Sequence, residues 1–107
     1  MVPWRVEVLD HRVVRELDAL PTGVRAKLDQ IIELIEDFGP REVGAPHVRF
    51  LRHRIWEIRA DSHDGHGRVL FVGEKENRLT MLHAFLKKTR RTPMAAINTA
   101  RARQKEV

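Results

Sequence analysis

Residues 48–93 read VRFLRHRIWEIRADSHDGHGRVLFVGEKENRLTMLHAFLKKTRRTP, and their periodicity decides the fold. Apolar and polar side chains alternate over Ile55-Trp56-Glu57-Ile58-Arg59 and over Arg68-Val69-Leu70-Phe71, the two-residue period of strands with one covered face. Strands are predicted at about 48–52, 55–60, 67–73 and 79–86. His63-Asp64-Gly65-His66-Gly67 supplies one turn and the segment from Glu74 to Arg78 another. Leu79 to Leu86 is apolar on both faces apart from Thr80 and His83, as expected of a central strand covered on both sides.

Upstream, Val2 to Leu9 reads as a further strand, with Val6 and Val8 alternating with Arg5 and Glu7. Asp10 is placed to cap a short helix carrying Val13, Val14, Leu17 and Leu20 on one stripe, which Pro21 stops. A second helix is predicted from Thr22 to Phe38, its apolar face made by Val24, Leu28, Ile31, Ile35 and Phe38 and its end set by Gly39-Pro40. Residues 39–47 read as a loop. Downstream, Thr92-Pro93 marks a helix start, with a hydroxyl at the cap and proline at the first helical position. The predicted order is β-α-α-β-β-β-β-α. This is a single α+β domain over 1–107, with a two-helix hairpin and a C-terminal helix packed on one face of a mainly antiparallel sheet.

Composition narrows the function. The chain has 107 residues, 42% hydrophobic and 33% charged, which fits one modest core. With no cysteine, disulfides, thiolate catalysis and Cys-type zinc sites fall away. The short apolar runs offer no bilayer span, and no cationic segment followed by an apolar stretch marks a secretory signal, so a cytoplasmic protein without membrane contacts is expected. Charge is unevenly spread. Residues 1–48 hold six basic and nine acidic side chains, whereas residues 49–107 hold fourteen and six. A half-chain with that cationic excess attracts polyanions, nucleic acid foremost.

Strand parity locates the chemistry. If Trp56, Ile58, Val69 and Phe71 face the helices, then Glu57, Arg59 and Arg68 share the open face. Paired arginines beside a carboxylate grip phosphate while the carboxylate fixes their guanidinium planes; the same trio could equally form a cross-strand salt bridge. Lys87-Lys88-Thr89-Arg90-Arg91 is the densest basic stretch, at a strand end, where lysines could neutralise a phosphate, stabilise a transition state or donate a proton. His83, alone in an apolar strand, is either a hydrogen-bonded core residue or a general acid or base. His63-x-x-His66 has metal-pair spacing but too few convergent ligands, and no metal or other cofactor is expected. Phosphate-loop, dinucleotide-binding, nucleophile-elbow and zinc-protease motifs do not occur.

The ordered set Ile55-Trp56-Glu57-Ile58-Arg59, Gly67-Arg68-Val69-Leu70-Phe71 and Leu82-His83-Ala84-Phe85-Leu86-Lys87-Lys88-Thr89 followed by Thr92-Pro93 resembles the RelE/ParE toxin superfamily, in its HigB-like, phage-derived branch. The resemblance implies a small ribosome-dependent, metal-independent endoribonuclease that cuts mRNA in the ribosomal A site, the ribose 2′-hydroxyl attacking the adjacent phosphate. Carried onto this sequence, Arg68 would hold the scissile phosphate and Lys87 or Lys88 would offset transition-state charge. His83 or Glu57 would transfer protons, and Arg59, Arg90 and Arg91 would bind substrate. The implied partner is a cognate antitoxin, usually a helix-turn-helix protein, with operator DNA bound only through that complex. Many relatives use a tyrosine near the cleft, and this chain has none. A ParE-like poison of DNA gyrase shares the fold and is the alternative activity; a plain basic nucleic-acid-binding module is the third.

Overall fold

The computed structural model describes residues 3–74 and 76–107. Five strands form one sheet: β1 (Arg5–Val8), β2 (Val48–Phe50), β3 (Ile55–Ser62), β4 (Gly65–Glu74) and β5 (Arg78–Leu86). The order across it is β1-β5-β4-β3-β2, with β1 parallel to β5 and every other pair antiparallel. Four helices complete the fold: α1 (His11–Asp18), α2 (Thr22–Phe38), α3 (Pro40–Val43) and α4 (Met94–Gln104). The mixed α+β class holds and the predicted elements follow in the predicted order, with differences of detail. The predicted first strand starts later, at Arg5, and Val2 lies outside the described residues. The 39–47 loop contains the helical turn α3, because Pro40 presets the first helical position. The β3–β4 hairpin is longer and its turn tighter, since pairing continues through Asp61↔His66 and Ser62↔Gly65.

Helix ends follow the chemistry of their residues. Asp10 caps α1 by accepting from the Arg12 backbone N–H at 2.9 Å. The chain leaves α2 through Gly39 at φ 83°, where a Cβ would sit 2.5 Å from the Trp4 indole nitrogen; both facts demand glycine. The tip of the β3–β4 hairpin is tied to the start of α2 by the Asp64 carboxylate, which accepts from the Gly23 backbone N–H at 2.7 Å.

Two cores sit on opposite faces of the sheet. Val13, Leu17, Val24, Leu28, Ile31 and Ile35 of the hairpin pack on Ile58, Ala60, Val69, Phe71, Leu79, Met81 and Ala84. On the other face Ala96, Ile97 and Ala100 of α4 cover Ile55, Leu70, Val72 and Leu82. The helices therefore do not all share one face. Leu79–Leu86 requires this arrangement, being apolar in both directions and so needing cover on both sides.

α4 is too short to cover its whole face. Along β3 the side chains on that face run Ile55, Glu57, Arg59, Asp61; along β4 they run Val72, Leu70, Arg68, His66. Each series passes from apolar to charged at the edge of α4. The uncovered remainder is the candidate site.

A β-bulge decides which residues of β5 join it. Leu70 pairs with His83 but Phe71 pairs with Met81, leaving Leu82 as the extra residue. Alternation counted from Leu82 alone would bring Lys88 to the α4 face. The bulge shifts parity by one, so that Phe85, opposite Arg68, and then Lys87 lie there instead.

Candidate nucleic-acid interface

The uncovered end of the sheet is a trough made of two adjoining cavities. One, of about 430 Å³, is lined by Arg59, Asp61, His66, Arg68, Lys87, Lys88, Thr89 and Arg90. The other, of about 450 Å³, lies between β2 and the segment before α4, and is lined by Arg49, Phe50, Leu51, Arg52, Lys87, Arg90, Arg91, Thr92 and Ile97. Lys87 and Arg90 belong to both. Together the two walls carry eight basic side chains and a single carboxylate, Asp61, so the field inside is strongly positive.

Arg68 is buried, 3% exposed, instead of lying open on the sheet. Its Nη1 donates to Asp61 Oδ1 at 2.5 Å and to the Gly67 carbonyl at 2.8 Å. The carboxylate fixing this guanidinium is thus Asp61 and not the expected Glu57. Arg68 stands directly across the ladder from Arg59, a like-charge pairing that costs stability unless an anion offsets it. The Nε atoms of both arginines are buried without a hydrogen-bond partner among the described residues. The Asp61 carboxyl, pushed up by its partial burial, is nonetheless held below the ordinary carboxylate range by the Arg68 and His66 hydrogen bonds.

Lys87 is half-buried and Lys88 exposed. Burial lowers the Lys87 ammonium pKa, and the charges of Arg68, Arg59 and Arg49 lower it further, against the opposing pull of Glu57. Arg90 and Arg91 are exposed on the rim, where the Thr89 hydroxyl donates to the Arg91 carbonyl at 2.8 Å.

Two residues foreseen as proton carriers stand elsewhere. Glu57 is buried, beneath the trough rather than on an open face, and accepts from the Thr92 hydroxyl. That bond also diverts Thr92 from capping α4, whose N-cap is Pro93 with no side-chain cap. His83 lines neither cavity. Its Nδ1 is 3.0 Å from Glu16 Oε1 of α1, and its ring stacks on Phe85 at 5.1 Å.

Glu16 ties three elements together. Its Oε1 accepts from Arg103 of α4 at 2.9 Å and from the Ala84 backbone N–H at 3.1 Å, besides meeting His83. Burial pushes the Glu16 carboxyl up, but these donors outweigh it and the pKa is lowered. A group lowered by folding stabilises fully above its unfolded value, ~4.3, and loses that contribution as pH falls through the lower folded value. Glu16→Gln is accordingly expected to cost about 1–2 kcal/mol at pH 7 after solvent screening and to flatten the acid limb of stability below about pH 4.3. Urea melts across that range check it.

Asp61 and His66 are the members of the trough that strand alternation could have supplied. Asp61 follows Glu57 and Arg59 at the same parity, and His66 precedes Arg68. The glycines on either side of His66 signal a turn in the sequence and so hide its pairing with Asp61. His63 sits at the hairpin tip with its Nδ1 3.3 Å from Ser62, whereas His66 belongs to β4 and meets Asp61 Oδ1 at 3.1 Å.

A small sheet with a helical hairpin on one face, and a half-covered cationic face on the other, is a fold shared with known proteins. The chain is similar to a chain in the crystal structure of the archaeal RelE–RelB complex from Pyrococcus horikoshii OT3, with a TM-score of 0.59 and 21% identity over 82% of this chain and 98% of that one. Residues 15–105 match the family model described as phage derived protein Gp49-like, and the chain belongs to that family; its likeness to RelE is one of fold. No curated protein matches it.

Proposed function

We propose that this protein is the toxin of a toxin–antitoxin pair and acts as a ribosome-dependent, metal-independent mRNA endoribonuclease that stops translation. The observation that carries the reading is the convergence of Arg59, Arg68 and Lys87 around one cavity, with buried guanidinium Nε atoms left unpaired. Unsatisfied buried donors cost about 1–3 kcal/mol each, and a guanidinium so placed gains most from charge-assisted bonds to an anion. Such a group would be gripped by Arg68 and Arg59, while Lys87 offsets charge on the pentacoordinate phosphorus. Lys88, Arg90 and Arg91 would steer the flanking backbone from the rim. Phe50, 54% exposed at the far cavity, offers a face on which a base can stack in a chain without tyrosine. Holding the message in a bent, in-line geometry falls to the ribosome, so a sparse protein site suffices.

The partner is a cognate antitoxin, in this branch commonly a helix-turn-helix protein encoded beside the toxin, whose complex with it binds operator DNA. The RelE–RelB pairing named for the similar structure supports such a complex. Among the described residues no helix is long and apolar enough to cross a membrane, which is compatible with action on cytoplasmic ribosomes.

Controlled expression tests the reading. Growth is expected to arrest within a generation while transcripts are truncated inside translated regions, and co-expression of the antitoxin restores growth. Arrest with intact messages and an induced DNA-damage response would overturn it in favour of a gyrase-directed toxin. Salt-sensitive RNA binding without any arrest would leave a plain binding module.

A further inference from the structure

We propose that His66, held by Asp61, is the group that takes the proton from the attacking 2′-hydroxyl; this rests on the endoribonuclease reading and assigns its missing base. The chain has six histidines and no tyrosine, and of the six only His66 lines the trough. The other acid–base candidates are engaged: Glu57 lies buried under Thr92, and His83 is bound to Glu16 outside both cavities. His66 lies two residues from Arg68 on the same face of β4, so a phosphate gripped by Arg68 has the imidazole as its neighbour.

The Asp61 contact sets the chemistry of the ring. With Nδ1–H donated to the carboxylate at 3.1 Å, the lone pair of the neutral imidazole resides on Nε2, the base-competent tautomer. The imidazolium formed on proton uptake is stabilised by that same carboxylate, as in any oriented Asp–His pair. Asp61 is therefore a positioning residue with two duties, one to His66 and one to Arg68, through a single oxygen. The Lys87 backbone N–H donates to the His66 carbonyl at 2.8 Å, which sets Lys87 beside the histidine at the end of β5. In the step, His66 Nε2 accepts the 2′-hydroxyl proton as the 2′-oxygen–phosphorus bond forms. The phosphorus–5′-oxygen bond breaks, and the departing oxygen takes a proton from the Lys87 ammonium. The products are a 2′,3′-cyclic phosphate and a 5′-hydroxyl end, and solvent returns both residues to their starting states.

The charged groups that share the cavity with His66 are Asp61 and Arg59 from β3, Arg68 from β4, and Lys87, Lys88 and Arg90 from β5 and the segment after it. Asp61 is the one carboxylate among these groups. The experiment is single-turnover cleavage of a message on programmed ribosomes, across pH, with wild-type, His66→Ala, His66→Gln and Asp61→Asn proteins. Both His66 variants are expected to cleave about 10²–10⁴-fold more slowly, with unchanged binding to the programmed ribosome. Added imidazole should restore part of the His66→Ala rate and none of the loss in an Arg68→Ala control. Asp61→Asn should shift the pH–rate profile as well as lower the rate, which a purely structural carboxylate would not do. His66 is exposed at the trough rim, so thermal melts of its variants should match wild type. Wild-type rates and an unaltered pH profile in His66→Gln would overturn the assignment while leaving the nuclease reading intact. A wild-type protein that leaves ribosome-bound message uncut would overturn both.

Discussion

Replacing Arg68 with alanine is expected to abolish growth arrest and slow message cleavage about 10²–10³-fold, the usual effect of removing one preorganised donor from a developing oxyanion. The domain should still fold. Arg68 is buried in a crowd of positive charge, opposite Arg59 and close enough to Lys87 to lower its pKa, so deleting it relieves repulsion while it removes packing. Its one charged partner among the described residues, Asp61, is half-exposed and can be solvated when released. The net stability change is expected within about 1–2 kcal/mol, measured by urea denaturation. Arg68→Lys should behave like Arg68→Ala in cleavage, because an ammonium cannot donate along two edges at once to Asp61 and to a phosphate. A lysine variant with wild-type toxicity would show that only net charge matters at this position, and the gripping role would fall.

Much of this arrangement is legible in the sequence, and what is not has a physical cause. The α2 limits at Thr22 and Phe38 follow from its apolar stripe and Gly39-Pro40. The strands, their order along the chain and the shared face of Glu57, Arg59 and Arg68 follow from two-residue alternation. Alternation is a local rule, and it fails at the bulge around Leu82, where one extra residue brings Lys87 instead of Lys88 to the α4 face of β5. No local signal reports whether a charged face is open or half-covered. That depends on how far α4 reaches, and its thin stripe of Ile97 and Ala100 gives no hint of which sheet face it takes. For the same reason Glu57, read as a surface carboxylate, proves to be sealed beneath Thr92. His66 and Asp61 are hidden in the sequence for a different reason. Gly65 and Gly67 mark a turn by composition, yet the actual turn needs only His63 and Asp64, because Gly65 already pairs with Ser62 in the ladder.

Removing the Glu57 carboxylate should be the most destabilising single change on this side of the sheet. Among the described residues Glu57 is the only buried acidic side chain, and it lies directly across the ladder from Arg49. It is also the one group that favours the charged form of Lys87 against Arg68, Arg59 and Arg49. A single buried anion thus underlies a trough whose walls are cationic. Glu57→Ala both strands the Thr92 hydroxyl and removes the anion nearest those cations, at an expected cost of about 1–3 kcal/mol. Glu57→Gln keeps an acceptor for Thr92 and loses only the charge, so it separates the two contributions and should cost less. Inorganic phosphate or sulfate should then raise the melting temperature of Glu57→Gln more than that of wild type, since an anion bound to the folded state stabilises it by mass action. The same variant should carry a more loosely held segment before α4, read as faster amide exchange over residues 87–93, because the charge no longer strengthens the bond that fastens Thr92 to the sheet. Equal anion responses in variant and wild type would mean that Glu57 serves only to anchor Thr92. The positive field of the trough would then be offset by Asp61 alone, and Asp61→Asn, not Glu57→Gln, would become the variant whose folding depends on phosphate.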